Sequence, residues 1–332
     1  TISSGYEGAQ ASMNGLFKGR GRHYFSLLAC PVDGGGLKSA GEAAVCTQDG
    51  AHRYPFEDGI LRLATPEQRS ALDARSAALE VDLAAQGWQS PDEAAFKALP
   101  QTALSGYPAG YWMQQAAGTA LLWRFLEMVR LQNGGLPVGP AGEAAVIGAE
   151  MGWLAYGLDV AGYTTLAIDA YTGPRYGLAV FPIARYLRVQ ADPIAPPLAR
   201  AALDVLVYQN GLARSGPDAD QDRALAHGLR ALRPGGWIAV MDPLNTSVEA
   251  VEALRARLGA AGLLLLDAPQ QRNPLHHGAS PSPRHPLDRL DLRYFQQPVQ
   301  IAQRLWTVQV VNAVVHVLAF ADDARNEQLF NI

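Results

Sequence analysis

The chain has 332 residues, 48% of them hydrophobic and 17% charged, enough for one large or two modest domains with a real core. Its formal net charge is −4 and it has no lysine or arginine run. That excludes the electrostatic footprint of a duplex nucleic-acid binder, so no nucleic-acid partner is expected, and leaves a small-molecule acceptor or a protein partner.

No apolar run reaches the roughly 18 residues of a membrane span, and no signal peptide is visible, so the cytoplasm is the default expectation. Cys30 and Cys46 are the only cysteines, too few for a disulfide scaffold but enough for one bridge or part of a metal site.

Residues 1–24 are rich in glycine, serine and polar residues without an apolar period, which predicts a flexible N-terminal arm. Residues 25–64 are short apolar runs cut by turn residues, the pattern of small hairpins. Residues 65–140 change to a 3.6-residue period and form a helical linker or cap. Pro66 and Glu67 open one helix, Ser90-Pro91-Asp92-Glu93 caps another, and Gly118 to Leu131 is a strongly apolar third, stopped by Asn133-Gly134-Gly135.

From 141 to 325 strands and helices alternate. Strands are expected at AAVIGA, TTLAID, YLRVQAD, ALDVLVYQN, GWIAVM and GLLLLDA. Helices are expected at Trp153–Ala161, Ala219–Leu232 and Val248–Ala261. The run from Arg304 to Phe320 supplies the last sheet strands, with His316 as a core residue. Apolar strands spaced by amphipathic helices imply an α/β fold, a doubly wound Rossmann-like sheet covered on both faces. Such sheets bind ligands at the carboxyl ends of their strands where the strand order reverses.

The strand ends carry the candidate site. Gly148 and Gly152 follow the first strand, either as a cofactor loop or as a tight turn and a close helix contact. Asp169 closes the second strand about twenty residues later, where an acid accepts hydrogen bonds from a ribose diol; the alternative is a helix N-cap. Asp192, after the third strand, either faces an adenine amino group or starts an Asp-Pro turn. Asp204 opens the fourth strand at its amino end, a structural position. Arg233-Pro234-Gly235-Gly236-Trp237 is a helix stop and strand start.

LRPGGWIAVMD resembles the post-motif of class I S-adenosylmethionine-dependent methyltransferases, L-R/K-P-G-G followed by a strand. AVIGAEMGWLAYGLDVAGYTTLAIDA resembles their first motif and acidic second strand. GAEMGWLAYGLDVAGY is similar to a bacterial subgroup reading G-A-G-x-G-W-L-x-x-x-L-x-x-x-G-H, whose preceding helical part carries a Gly-Trp and a Leu-Pro, like Gly87-Trp88 and Leu99-Pro100. The stretch 25–64 resembles a zinc-ribbon-like module found before some bacterial methyltransferases, and Tyr54-Pro55-Phe56-Glu57-Asp58-Gly59-Ile60 is close to that module's Y-P-I-x-D-G-I ending. The resemblance implies a seven-stranded methyltransferase sheet with an antiparallel final strand and S-adenosylmethionine as cofactor. Its cofactor contacts would be Gly148, Glu150, Gly152, Asp169 and Asp192, with Asn210 lining the methyl-transfer mouth.

The departures are specific. Where the family loop reads acid-x-Gly-x-Gly-x-Gly, Val146 replaces the acid and Glu150 the middle glycine. Glu150 either takes over the lost acidic role or sterically excludes the cofactor. The fourth strand continues into Asn210-Gly211-Leu212-Ala213-Arg214 without the family's histidine.

Each ribbon knuckle reads Cys-x-x-Asp, Cys30 to Asp33 and Cys46 to Asp49, instead of two thiolates. A Cys2Asp2 zinc site is chemically possible with His52 as a spare ligand, but the expectation is that no metal remains. If the knuckles converge, Cys30 and Cys46 are close enough to pair or to touch as buried thiols. His276-His277 and His285 lie in a proline-rich segment expected to be a lid or partner-binding loop. Two functions follow: methyl transfer to a small-molecule or protein acceptor, or a catalytically inactive descendant serving as a scaffold or assembly subunit.

Overall fold

The computed structural model describes residues 21–91, 142–180, 186–209, 218–241, 248–261, 263–267 and 316–320, with single positions at Gly118, Leu122, Trp123, Phe125, Leu126, Val129 and Leu212. Asn210, the 92–93 end of the second helix cap, the Asn133-Gly134-Gly135 stop, the histidines at 276, 277 and 285, and the run 304–315 lie outside them. No helix among the described residues is long and apolar enough to cross a membrane.

The described chain begins with α1 (Gly21–Ser26). Residues 21–24, expected in the flexible arm, are therefore structured, because Tyr24 and Phe25 are buried in the core. Two adjacent aromatics leave no period to detect, which hides their role in the sequence. Two hairpins follow: β1 (Leu37–Ser39) and β2 (Ala43–Cys46), then β3 (Arg53–Glu57) and β4 (Ile60–Arg62). Helix α2 (Pro66–Ala85) opens at Thr65, whose hydroxyl accepts from the Gln68 amide while the Gln68 side chain accepts from the Thr65 amide. This reciprocal capping box satisfies two amides that a helix start otherwise leaves bare.

The α/β region contains β5 (Glu143–Ile147), α3 (Trp153–Val160), β6 (Thr164–Asp169), β7 (Leu187–Gln190), β8 (Leu203–Gln209), α4 (Asp218–Ala231), β9 (Leu232–Met241), α5 (Val248–Ala260), β10 (Leu263–Asp267) and β11 (His316–Phe320). Its strands run β7-β6-β5-β8-β9-β11-β10 across the sheet. The pairs from β7 to β9 are parallel, and β11 lies antiparallel between β9 and β10. This is the doubly wound, seven-stranded arrangement with an antiparallel final strand that the resemblance implies. The order reverses between β5 and β8, so the carboxyl ends of these strands frame the crevice.

The ribbon joins the sheet directly. Strand β4 pairs in parallel with β7, Ile60 opposite Arg188 and Arg62 opposite Gln190. The sheet thereby grows to eleven strands. Arg188 is buried and reaches back across this junction, its guanidinium donating to the Asp58 carbonyl in the β3–β4 turn at 3.2 Å and to the Leu178 carbonyl at 3.0 Å.

Side-chain alternation along the strands feeds two cores, one on each face. Ile60, Ala144 and Val146 face a layer with Trp88, Leu122, Phe125, Val129, Leu154 and Leu158. Leu61, Ala145, Ile147 and Ile168 face the other, which also contains Tyr24, Cys30, Cys46 and Tyr54 of the ribbon region. The described positions of the expected third helix, Gly118 to Val129, are helical, and its apolar positions Leu122, Phe125, Leu126 and Val129 are buried.

Strand β9 begins at Leu232 and not at Gly236, so the Arg233–Trp237 string lies inside a strand with a register shift opposite Leu203 and Val205. Arg233 explains the difference. It pairs with Glu143 and, at 2.8 Å, with Asp204, while the Asp204 carboxylate also accepts from the Glu143 amide at 2.8 Å and His23 reaches Glu143 at 2.6 Å. This cluster pins the amino ends of β5, β8 and β9, confirming Asp204 as structural.

Because the ribbon shares the sheet and its core, denaturant unfolding is expected to show one transition. Leu61→Ala should lower its stability by about 2–5 kcal/mol, measured by urea titration with fluorescence and circular dichroism; separate ribbon and sheet transitions would contradict a shared core. The hydrogen bonds and Arg233 hold the Asp204 carboxyl below its ordinary value despite the opposing effect of burial. A depressed folded-state value contributes stability present above the unfolded carboxylate range near ~4 and lost as pH falls through it. Asp204→Asn should therefore lose less stability than wild type between about pH 5 and pH 3.

Candidate cofactor site and ribbon cluster

Between β5 and α3 the chain makes a tight loop with Gly148 at φ +70°, Glu150 at +52° and Gly152 at +83°. The Gly148 and Ala149 amides both donate to the Ile168 carbonyl of β6, at 2.9 and 3.1 Å. Gly152 is required twice over: its left-handed backbone disfavours any side chain, and a Cβ there would lie 2.1 Å from the Tyr186 hydroxyl.

Asp169 closes β6 beneath this loop. Its Oδ2 accepts from the Glu150 amide at 2.7 Å and its Oδ1 from the Tyr171 amide at 2.9 Å. No helix follows it directly, so the N-cap alternative does not hold. Instead one carboxylate ties the loop after β5 to the loop after β6.

The Glu150 side chain is buried, 1% exposed, and its Oε1 accepts from the Tyr176 hydroxyl at 2.5 Å. Tyr176 meets Trp88 edge-on at 6.3 Å and Tyr171 at 6.1 Å between centroids. Helix α2 fixes this aromatic wall from outside. Glu80 accepts from the Arg175 amide at 3.0 Å and pairs with its guanidinium at 2.9 Å, Arg175 Nε donates to the Trp88 carbonyl at 2.9 Å, and the Thr172 amide donates to Ser76 Oγ at 3.0 Å. A glycine loop, an acid and an aromatic wall thus meet at the carboxyl ends of β5 and β6.

Asp192 stands outside this network. Its Oδ1 accepts from the Ile194 amide at 2.9 Å, the turn-starting alternative. Asn210 follows the end of β8 outside the described residues. Val146, at the family's acid position, is fully buried in β5.

In the ribbon, Cys30, Asp33, Cys46 and His52 converge, with one potential ligand atom from each lying within 4.8 Å of all the others. Cys30 Sγ lies 3.5 Å from His52 Nδ1 and 2.9 Å from the Tyr54 hydroxyl. Cys46 Sγ lies 3.3 and 3.4 Å from the two Asp33 oxygens. Burial pushes the Cys30 thiol up, whereas the Gly35 amide, with the neighbouring thiols and His52, brings the Asp33 carboxyl down to about 2. Both thiols are free. Asp49, the expected second-knuckle ligand, is displaced from the centre and sits behind His52, its Oδ2 3.6 Å from Nε2.

Sequence reasoning missed Tyr176, Arg175, Glu80 and Arg188. Each acts through a partner far away in the chain, so no local spacing marks it. Tyr54 lies inside the Tyr54 to Ile60 ending, but its hydroxyl contact with Cys30 depends on strand pairing.

No family model matches the chain, and no curated protein matches it. Among solved structures, the 1,6-didemethyltoxoflavin-N1-methyltransferase of Burkholderia thailandensis, with bound 1,6-didemethyltoxoflavin and S-adenosylhomocysteine, is 15% identical with a TM-score of 0.40, covering 86% of this chain and 99% of that one. The complex between the Haloferax volcanii Trm112 methyltransferase activator and the putative methyltransferase gives 15% identity and a TM-score of 0.41 over 64% of this chain and 96% of the other. The phosphoethanolamine N-methyltransferase 2 of Haemonchus contortus is 12% identical with a TM-score of 0.37, over 59% of this chain and only 52% of its own length. Strand order and the antiparallel β11 give this chain a doubly wound, Rossmann-like seven-stranded sheet, with the loop after β5 tied to the acid that ends β6.

Proposed function

We propose that the chain catalyses S-adenosylmethionine-dependent methyl transfer to a small-molecule or protein acceptor. The observation that carries this reading is the convergence of the glycine loop, Asp169 and the Trp88–Tyr171–Tyr176 wall at the carboxyl end of the sheet. The donor set suits the cofactor. Asp169 accepts a backbone amide on each oxygen, which fixes at the strand end a carboxylate, the acceptor type that a ribose diol donates to. Glu150 and the aromatic rings beside it would set an acid and π-systems next to a bound cation, a combination that attracts one. When bound, the cofactor supplies an electrophilic methyl group on a cationic sulfur. Glu150 and the aromatic wall would hold that end, and orientation towards the acceptor would do most of the catalytic work.

One observation favours a second reading, a non-catalytic scaffold or assembly subunit. Glu150 fills the space that the family's middle glycine leaves free, and its short bond to Tyr176 holds it there. A left-handed non-glycine residue costs on the order of 1 kcal/mol or more, so the position is maintained against strain.

Calorimetric titration with S-adenosylmethionine separates the two. Methyl transfer requires micromolar binding, abolished in Asp169→Ala and weakened about 10- to 100-fold in Glu150→Gln, the loss of one charge-assisted contact. Absence of binding at millimolar ligand, in protein with an intact melting transition, overturns the enzyme reading. Binding created or strengthened by Glu150→Gly identifies the glutamate as a plug.

A further inference from the structure

We infer that the ribbon holds a structural zinc ion on Cys30, Asp33, Cys46 and His52, oriented by Asp49. The sequence sets zinc aside because each knuckle lacks its second thiolate. Folding supplies the missing ligand from elsewhere: the Asp49-Gly50-Ala51-His52 turn brings an imidazole to the place that the second knuckle leaves vacant. The turn is built by Asp49, whose Oδ1 accepts from the Ala51 amide at 2.8 Å and whose carbonyl accepts from the His52 amide at 3.1 Å.

The geometry fits a tetrahedral ion. With Zn–S of about 2.3 Å and Zn–N or Zn–O of about 2.0–2.2 Å, the ligand atoms of a tetrahedron stand roughly 3.3–3.8 Å apart. Here Cys30 to His52 is 3.5 Å, Cys46 to Asp33 is 3.3 and 3.4 Å, His52 Nδ1 to Asp33 Oδ2 is 3.1 Å, and the remaining pairs lie within 4.8 Å, so that small shifts close the set on an ion. Two soft sulfurs, one imidazole and one carboxylate suit zinc and leave no open position, which marks the ion as structural and not catalytic.

The surroundings are those of a ligand set. The Tyr54 hydroxyl lies 2.9 Å from the Cys30 sulfur, and the Gln48 amide donates to the Cys46 sulfur at 3.3 Å; such donors stabilise thiolates. Asp49 stands behind His52 on its other ring nitrogen, the carboxylate–histidine arrangement that sets the tautomer of a metal-bound imidazole. Gly35 packs against the cluster, where a Cβ would lie 2.8 Å from the Cys46 sulfur. On binding, the two thiol protons pass to solvent. The ion then joins the first knuckle, the end of β2 and the turn leading into β3, the hairpin that carries β4 onto β7.

The test uses the full chain, reconstituted with zinc and freed of excess metal, with metal content, chelator competition and thiol alkylation as readouts. It reads the ribbon alone and stands apart from the cofactor titration. We expect one zinc per chain, with Cys30 and Cys46 protected from alkylation. Asp49→Asn should keep the ion but weaken it about 10- to 100-fold. His52→Ala should lose it, whereas His52→Cys should retain it; this pair separates loss of a ligand from failure to fold. Wild-type protein that takes up no zinc, a Cys30–Cys46 disulfide in the reconstituted protein, or His52→Ala binding zinc as tightly as wild type would overturn the inference.

Discussion

The candidate cofactor site depends on one carboxylate. Asp169 receives the backbone amides of Glu150 and Tyr171 from two loops that leave adjacent parallel strands. Each bond is charge-assisted, and the one from Glu150 is buried, the setting in which such bonds are strongest. Because the acceptor is shared, the loops cannot move independently. The left-handed turn at Glu150 and the path of the segment carrying Tyr176 are set together, and the glutamate–tyrosine contact follows from that shared anchor.

At the opposite end of the strands Arg233 plays a comparable role with side-chain charges. It gathers Glu143 and Asp204, and through Glu143 the His23 imidazole. The two anchors bracket β5, one at each end. Every residue between them is buried, so the central strand is fixed by apolar packing along its length and by charged hydrogen bonds at its ends.

The parallel pairing of β4 with β7 changes what the N-terminal region is for. It covers an edge that would otherwise present unpaired amides and carbonyls. It also places the ribbon's Cys30 and Cys46 in the same apolar layer as Ile168 and Leu187. The order of the ribbon and that of the sheet are therefore linked through shared core, and Arg188 reinforces the link through the Asp58 and Leu178 carbonyls.

By itself the sequence determined the local terms of this protein. Apolar runs separated by amphipathic helices specified the doubly wound sheet, because period and burial are written residue by residue. The glycines at 148 and 152 marked the loop, since only certain backbones make that turn, and Asp169 was legible from its spacing after the loop. Tertiary structure decided whatever depends on partners distant in the chain. Glu150 and Tyr176 are 26 positions apart, Glu80 and Arg175 are 95 apart, and β4 meets β7 across more than a hundred residues. The choice of His52 over Asp49 at the ribbon cluster belongs there too. Spacing favoured the aspartate, but the turn after β2 turns the imidazole inward and leaves the carboxylate behind it. Spacing along a chain can place a ligand type; only the folded backbone determines which candidate atom arrives.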